Sequence, residues 1–373
     1  MGFSPDDRIG NYRVETELGP TGSGVLLQVQ HLVLPRRAII KVVHPAFAAV
    51  QSYVLQTLRE ACILEAIAHP GVPVVYESGV LRDRRPWFAF EMIDGPTLEE
   101  LLAPGPVSLL EVAGLLRDIS DILEHAHRRG VIHRGLRPER IVITGDRRYP
   151  LCIPDWSEAM AHDAISQQPQ VISRTSRSYV APELARPGAG GTPDLVDDRI
   201  DMFALGVIAY RALTGCLPFA RPDGDGDGVY VRAGDRRRDA IPELAALIDS
   251  LLSYDRFDRP SASEVRADVD WLFETLPELG SHTDSPRDAP PIMSGPRGSG
   301  PNQRSQAAAV PRDATAAHHA RAAASAAIDR ASRVSTDMLK PPRLRQPRWT
   351  PDVRYLEATR VDIEVADDDL ANE

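Results

Sequence analysis

The stretch Val131-Ile132-His133-Arg134-Gly135-Leu136-Arg137-Pro138-Glu139-Arg140-Ile141-Val142-Ile143 decides how this chain is read. Two apolar runs flank a charged centre in which a histidine and an arginine precede a glycine. Before it, residues 109–129 repeat apolar side chains at helical spacing. After it come Ile153-Pro154-Asp155-Trp156-Ser157, then Tyr179-Val180-Ala181-Pro182-Glu183. Further on, Asp201-Met202-Phe203-Ala204-Leu205-Gly206 heads an apolar helix, and Asp258-Arg259-Pro260-Ser261 follows. Helical spacing also covers residues 98–102, 201–214, 242–253 and 262–275, so residues 93–280 read as mostly helical.

Upstream the pattern changes. Residues 12–18 and 25–33 alternate apolar and polar side chains, as half-buried strands do, around the turn Leu18-Gly19-Pro20-Thr21-Gly22-Ser23-Gly24. Glycines there let a backbone approach a phosphate and aim N–H groups at it, although a plain hairpin would carry them too. A short apolar strand, 38–43, contains Ala38-Ile39-Ile40-Lys41; a helix is expected over 52–68, and strands over 72–77 and 87–92. Of the 43 basic residues only Lys41 and Lys340 are lysines. A surface cation in this chain would be an arginine, so a lysine kept inside an apolar strand suggests a phosphate partner, with Glu60 as its counterion. A strand-rich segment (11–92) before a helix-rich one (93–280) implies an α+β chain in two lobes, after a short extension (1–10).

The 373 residues suit about two domains and a remainder, and 43% hydrophobic with 26% charged residues is an ordinary globular mixture. A net charge of −10 argues against a nucleic-acid or anionic-membrane binder. The longest clean apolar run, 202–210, falls well short of the ~18 residues of a membrane span, and the first residues carry no signal-peptide pattern. Cys62, Cys152 and Cys216 lack pairing or metal spacing and read as reduced, mostly buried thiols of a cytoplasmic protein. Residues 281–373 hold 10 Pro and 17 Ala against 12 Ile, Leu or Val and no Phe, too little apolar surface to offset ordering entropy. They are expected to form a disordered tail, partly helical over 314–331.

Taken in order, these motifs make residues 11–280 resemble a bacterial-type (Hanks-type) Ser/Thr protein kinase domain, although each alone is weak. The resemblance implies the bilobal kinase fold, with a strand-rich N-lobe and a helical C-lobe. It gives Lys41 and Glu60 the place of the phosphate-pairing lysine and its helix glutamate, and Asp155 that of the Mg²⁺-binding aspartate. Gly19, Gly22 and Gly24 would cover the phosphates, with Leu26, Glu91 and Met92 about the nucleotide base. His133 and Arg134 match the start of the catalytic loop, Glu183 and Arg259 a buried ion pair, and Asp201 the helix aspartate that holds the loop backbone.

The departures fall on the chemistry. The family's loop reads His-Arg-Asp-Leu-Lys-Pro-Glu-Asn, where this chain has Gly135 for the Asp, Arg137 for the Lys and Arg140 for the Asn. The Asp orients the substrate hydroxyl and accepts its proton, and losing such a group costs on the order of 10²–10⁴ in rate. Arg140 puts a cation where a metal ion was held, so at most one Mg²⁺ site is expected, and Arg137, a cation like the lysine it replaces, is the catalytic residue carried over. Thr21, Ile39 and Phe90 add bulk to the nucleotide pocket, and Trp156 and Ser157 restrict the segment after Asp155. The resemblance thus implies a degenerate, pseudokinase-like domain that binds ATP, with transfer lost or strongly impaired, and regulates or scaffolds another protein, its tail recruiting partners. An active Ser/Thr kinase with a rearranged site and a scaffold that binds no nucleotide remain alternatives. Ser173, Thr175 and Ser176 are candidate phosphate acceptors near Arg134. The run 223–228 looks like the front of a Ca²⁺ loop, but its twelfth position is Gly234, so it reads as a solvated acidic loop.

Overall fold

A computed structural model describes residues 2–22, 24–145, 147–161, 177–185, 196–219 and 230–275. The candidate phosphate acceptors at 173, 175 and 176, the acidic run 223–228, and the tail with its expected helix at 314–331 lie outside the described residues.

Alternating sequence builds a six-stranded antiparallel sheet from β1 (Arg8–Ile9), β2 (Tyr12–Pro20), β3 (Gly24–His31), β4 (Arg37–Val43), β5 (Val75–Val80) and β6 (Pro86–Glu91), in the order β1-β2-β3-β4-β6-β5. The period of two sorts β4 onto two faces. Ala38, Ile40 and Val42 join Val25, Leu27, Val29 and Trp87 in one apolar cluster. Ile39 turns to the other face, against Phe88, Phe90 and the buried side of α1 (Gln51–Ile67), and that cluster continues into the C-lobe. Lys41 shares the register of Ile39 and is buried on the α1 face.

The strand expected from residue 72 begins only at Val75, because Pro73 has no N–H to give to a ladder. The strand expected to reach 33 stops at His31, whose Nδ1 accepts from the amides of Val33 and Leu34 and closes a turn. Cys152 is buried and Cys216 half-buried, but Cys62 is exposed, a correction to the expected burial. It lies on the outer stripe of α1 with Gln51, Leu55, Leu58 and Glu65, at helical spacing.

The helical half contains α2 (Leu98–Leu102), α3 (Leu109–His127), α4 (Pro182–Ala185), α5 (Arg199–Thr214), α6 (Ala233–Arg236), α7 (Pro242–Leu251) and α8 (Ala262–Thr275). Capping boxes start two of them: Thr97 with Glu100 at α2, and Ser108 with Glu111 at α3. Most of α5 is buried, as its all-round apolar sequence requires. Between α3 and α4 run the short strands β7 (Val131–Ile132), β8 (Val142–Ile143), β9 (Leu151–Cys152) and β10 (Met160–Ala161), paired β7 with β10 and β8 with β9. These hairpins bring the loops 133–141 and 153–159 side by side.

Candidate active site

Lys41 and Glu60 meet at the sheet–α1 boundary, Nζ to Oε2 2.6 Å, both buried. Burial pushes the Glu60 carboxyl up, and the Lys41 charge only partly offsets it. Gln56, one helical turn before Glu60, donates to the Ser157 carbonyl at 2.8 Å and ties α1 to the segment after Asp155. In that segment Trp156 is fully buried; its indole N–H donates to the Ile153 carbonyl at 2.8 Å, and its ring lies 4.6 Å from that of His133.

Asp201, in the first turn of α5, holds the loop from below. Its carboxylate accepts from the amides of His133 at 2.8 Å and Arg134 at 2.7 Å, and meets His127 Nε2 at 2.9 Å. Burial alone would raise this carboxyl, but the His127 hydrogen bond and charge and the His133 contact outweigh it and lower it. The two amide bonds clamp Arg134 at a left-handed φ of 64°, a conformation an arginine does not choose unaided. Deeper in the lobe, Arg259 is buried and forks onto Glu183 at 2.7 and 2.9 Å.

Arg140 is the centre of the site. Its Nε lies 2.9 Å from Asp155 Oδ2, its Nη2 lies 2.6 Å from Glu158 Oε1, and its Nη1 donates to the Gly135 carbonyl at 3.3 Å. Arg137 stands 3.9 Å from the same Glu158 oxygen. Burial and the neighbouring Arg140 charge lower the Arg137 guanidinium. Burial would raise the Asp155 carboxyl, but Arg140, Lys41 and the Ser157 hydrogen bonds outweigh it and hold it far below the usual carboxylate range.

This pairing bears on Mg²⁺. Asp155 has both oxygens engaged, Oδ2 by Arg140 and Oδ1 by the Ser157 amide at 3.1 Å. Among the described residues no group of three or more His, Cys, Asp and Glu side chains is gathered as a metal site. A divalent ion at Asp155 would therefore have to displace the Arg140 guanidinium.

Gly19 has a positive φ of 135° and open space around it, and Gly22 is exposed. Gly24 lets β3 approach β4, since a Cβ there would collide with the Val42 carbonyl. Its amide donates to Thr21 Oγ1 at 3.0 Å, so the hydroxyl expected near the phosphates closes the turn on itself. Leu26 and Met92 pack half-buried against the main cluster, and Ile39 is paired with Phe90 in the ladder. The Glu91 side chain turns outward to an ion pair with Arg147, while its amide donates to the Val74 carbonyl at 2.9 Å.

Sequence reasoning missed Glu158, Gln56, His127 and Arg147. Glu158 left one usable signal: a loop that loses an aspartate and gains an arginine calls for a new counterion, and Glu158 is an acid three residues beyond Asp155.

The signature of the protein kinase domain family matches residues 12–272. The chain is 28% identical over 252 residues to the serine/threonine-protein kinase PknJ of Mycobacterium tuberculosis, covering 65% of this chain and 41% of that protein. It is 32% identical over 228 residues to the serine/threonine-protein kinase pkn2 of Myxococcus xanthus, covering 59% of this chain and 26% of that one. It thus spans less than half the length of these relatives. The crystal structure of the M. tuberculosis PknI kinase domain superposes with a TM-score of 0.54 at 26% identity, over 74% of this chain and 100% of that one. No helix among the described residues is long and apolar enough to cross a membrane.

Proposed function

The chain belongs to the protein kinase family, of the bacterial Hanks type, and on that premise we propose a nucleotide-binding domain in which a guanidinium stands in for metal, phosphoryl transfer is strongly slowed, and the main role is to engage another protein in phosphorylation signalling. The observation that carries this reading is the Arg140 clasp on Asp155 and Glu158. Gly135 and Arg140, against the family's Asp and Asn, raise the loop's formal charge by two units, and Glu158 sets one negative charge against them. Arg137 and Arg140 thereby offer ATP phosphates the positive charge that a metal would bring, in the planar fork that suits phosphate.

The buried Lys41–Glu60 pair supports nucleotide binding over a nucleotide-free scaffold, because a buried charge pair is costly to keep without use. A Ser/Thr kinase of ordinary rate is the second reading, favoured by the Glu158 carboxylate beside Gly135. Incubation of the full chain with labelled ATP and a generic protein substrate separates the two. Slow incorporation, on the order of 10²-fold or more below a working kinase, supports the impaired domain. Incorporation at a working kinase's rate overturns it.

A further inference from the structure

Gly135 stands at the catalytic aspartate's place, and its φ is not left-handed, so the backbone does not demand a glycine there. Space does. A Cβ built at 135 would collide with Arg140 Nη1 and stand 3.0 Å from both the carboxyl carbon and Oε2 of Glu158. The room that an aspartate side chain would fill is taken by another carboxylate, delivered from 23 residues further along the chain.

We propose that Glu158 is a catalytic residue, the carboxylate that orients the substrate hydroxyl in place of the absent aspartate. The inference rests on the nucleotide-binding reading above and supplies its residual transfer. Arg140 holds Oε1 at 2.6 Å, and Oε2 lies 3.0 Å from where a Cβ on Gly135 would stand. The Glu158 side chain keeps 23% of its exposure, so an incoming group can reach it. Arg137, 3.9 Å away, sets a phosphate-binding cation beside it. In the reaction a seryl or threonyl hydroxyl donates its proton to Glu158 as its oxygen bonds to the γ-phosphorus of ATP. The bond from that phosphorus to the β–γ bridging oxygen breaks, ADP leaves with the electron pair, and Glu158 returns the proton to solvent.

The test uses the full chain with ATP, reading both the ATP-induced melting shift and phosphate incorporation in wild type, Lys41→Ala, Glu158→Gln and the triple variant Gly135→Asp/Arg140→Asn/Glu158→Gln. Glu158→Gln should keep the melting shift and lose about 10²- to 10⁴-fold in incorporation. The triple variant, with its acid returned to the loop, should regain transfer and need Mg²⁺ for it. A melting shift together with wild-type incorporation no greater than that of Lys41→Ala, or with Glu158→Gln as fast as wild type, overturns the role of Glu158 and leaves nucleotide binding standing. Absence of any melting shift with ATP overturns both.

Discussion

Replacing Arg140 by asparagine, the residue of the family's loop, tests the clasp at the centre of the site. The substitution removes one guanidinium from between two carboxylates at 2.9 and 2.6 Å. Each contact, treated as unit charges about 4 Å apart at an effective dielectric of ~20, is worth about 4 kcal/mol before solvent is counted. Solvent takes back much of that, since the Asp155 and Glu158 side chains keep 36% and 23% of their exposure. Removing one partner of a fully buried pair costs about 3–5 kcal/mol, and of an exposed pair about 0–1. A site between these limits should lose about 2 kcal/mol. For a domain of this size about 1 kcal/mol moves the melting temperature by about 2–4 °C, so Arg140→Asn should melt roughly 4–8 °C lower. The sign should then depend on metal. With ATP and Mg²⁺ the variant should recover part of the loss, because Asp155 is released and a metal-ligating side chain is restored, while wild type should be indifferent to Mg²⁺. Scanning fluorimetry of both proteins with ATP, in Mg²⁺ and in EDTA, measures this. An unchanged melting temperature together with no Mg²⁺ dependence in the variant would refute the reasoning.

Three further outcomes are expected. Lys41→Ala should abolish the ATP-induced melting shift, because it removes the cation proposed for the phosphates and leaves Glu60 buried without its partner at 2.6 Å; a retained shift in the same scan would count against Lys41 as a nucleotide ligand. Arg259→Ala should destabilise the fold by about 3–5 kcal/mol in urea unfolding, since it strands Glu183 and empties a buried fork, and a change under about 1 kcal/mol would contradict this. Burial, only partly countered by Arg117, lifts the Asp118 carboxyl to about 6. An acid raised in the folded state binds its proton more tightly there, so it costs stability as pH climbs from about 4 to 6 and the cost persists above. Asp118→Asn should therefore gain on wild type at pH 8 relative to pH 4, by on the order of 1–3 kcal/mol, and a difference independent of pH would contradict the assignment.

Much of the fold is readable because its signals are local. The alternation of residues 25–31 marks a half-buried strand, and the apolar run 38–43 marks one buried on both faces, with Lys41 inside it. The chain's near-total preference for arginine singles that lysine out. The charge exchange at Gly135 and Arg140 is legible as soon as the loop is set beside the family's. Its consequence is not. Glu158 reaches Gly135 only because the β7–β10 and β8–β9 hairpins lay two distant loops together, and no pattern within either loop records that contact. Asp155 reads as a metal ligand from its motif, and nothing within that motif records the Arg140 guanidinium 2.9 Å away. Cys62 departs from expectation because a cysteine is usually buried, whereas helical phase sets this one on the outer stripe of α1.

The substitution of guanidinium for metal is tested most directly by calorimetric titration of ATP into the wild-type chain, once in EDTA and once in Mg²⁺. Equal affinity in the two buffers, or tighter binding in EDTA, is the predicted result. Binding that appears only with Mg²⁺ would contradict it.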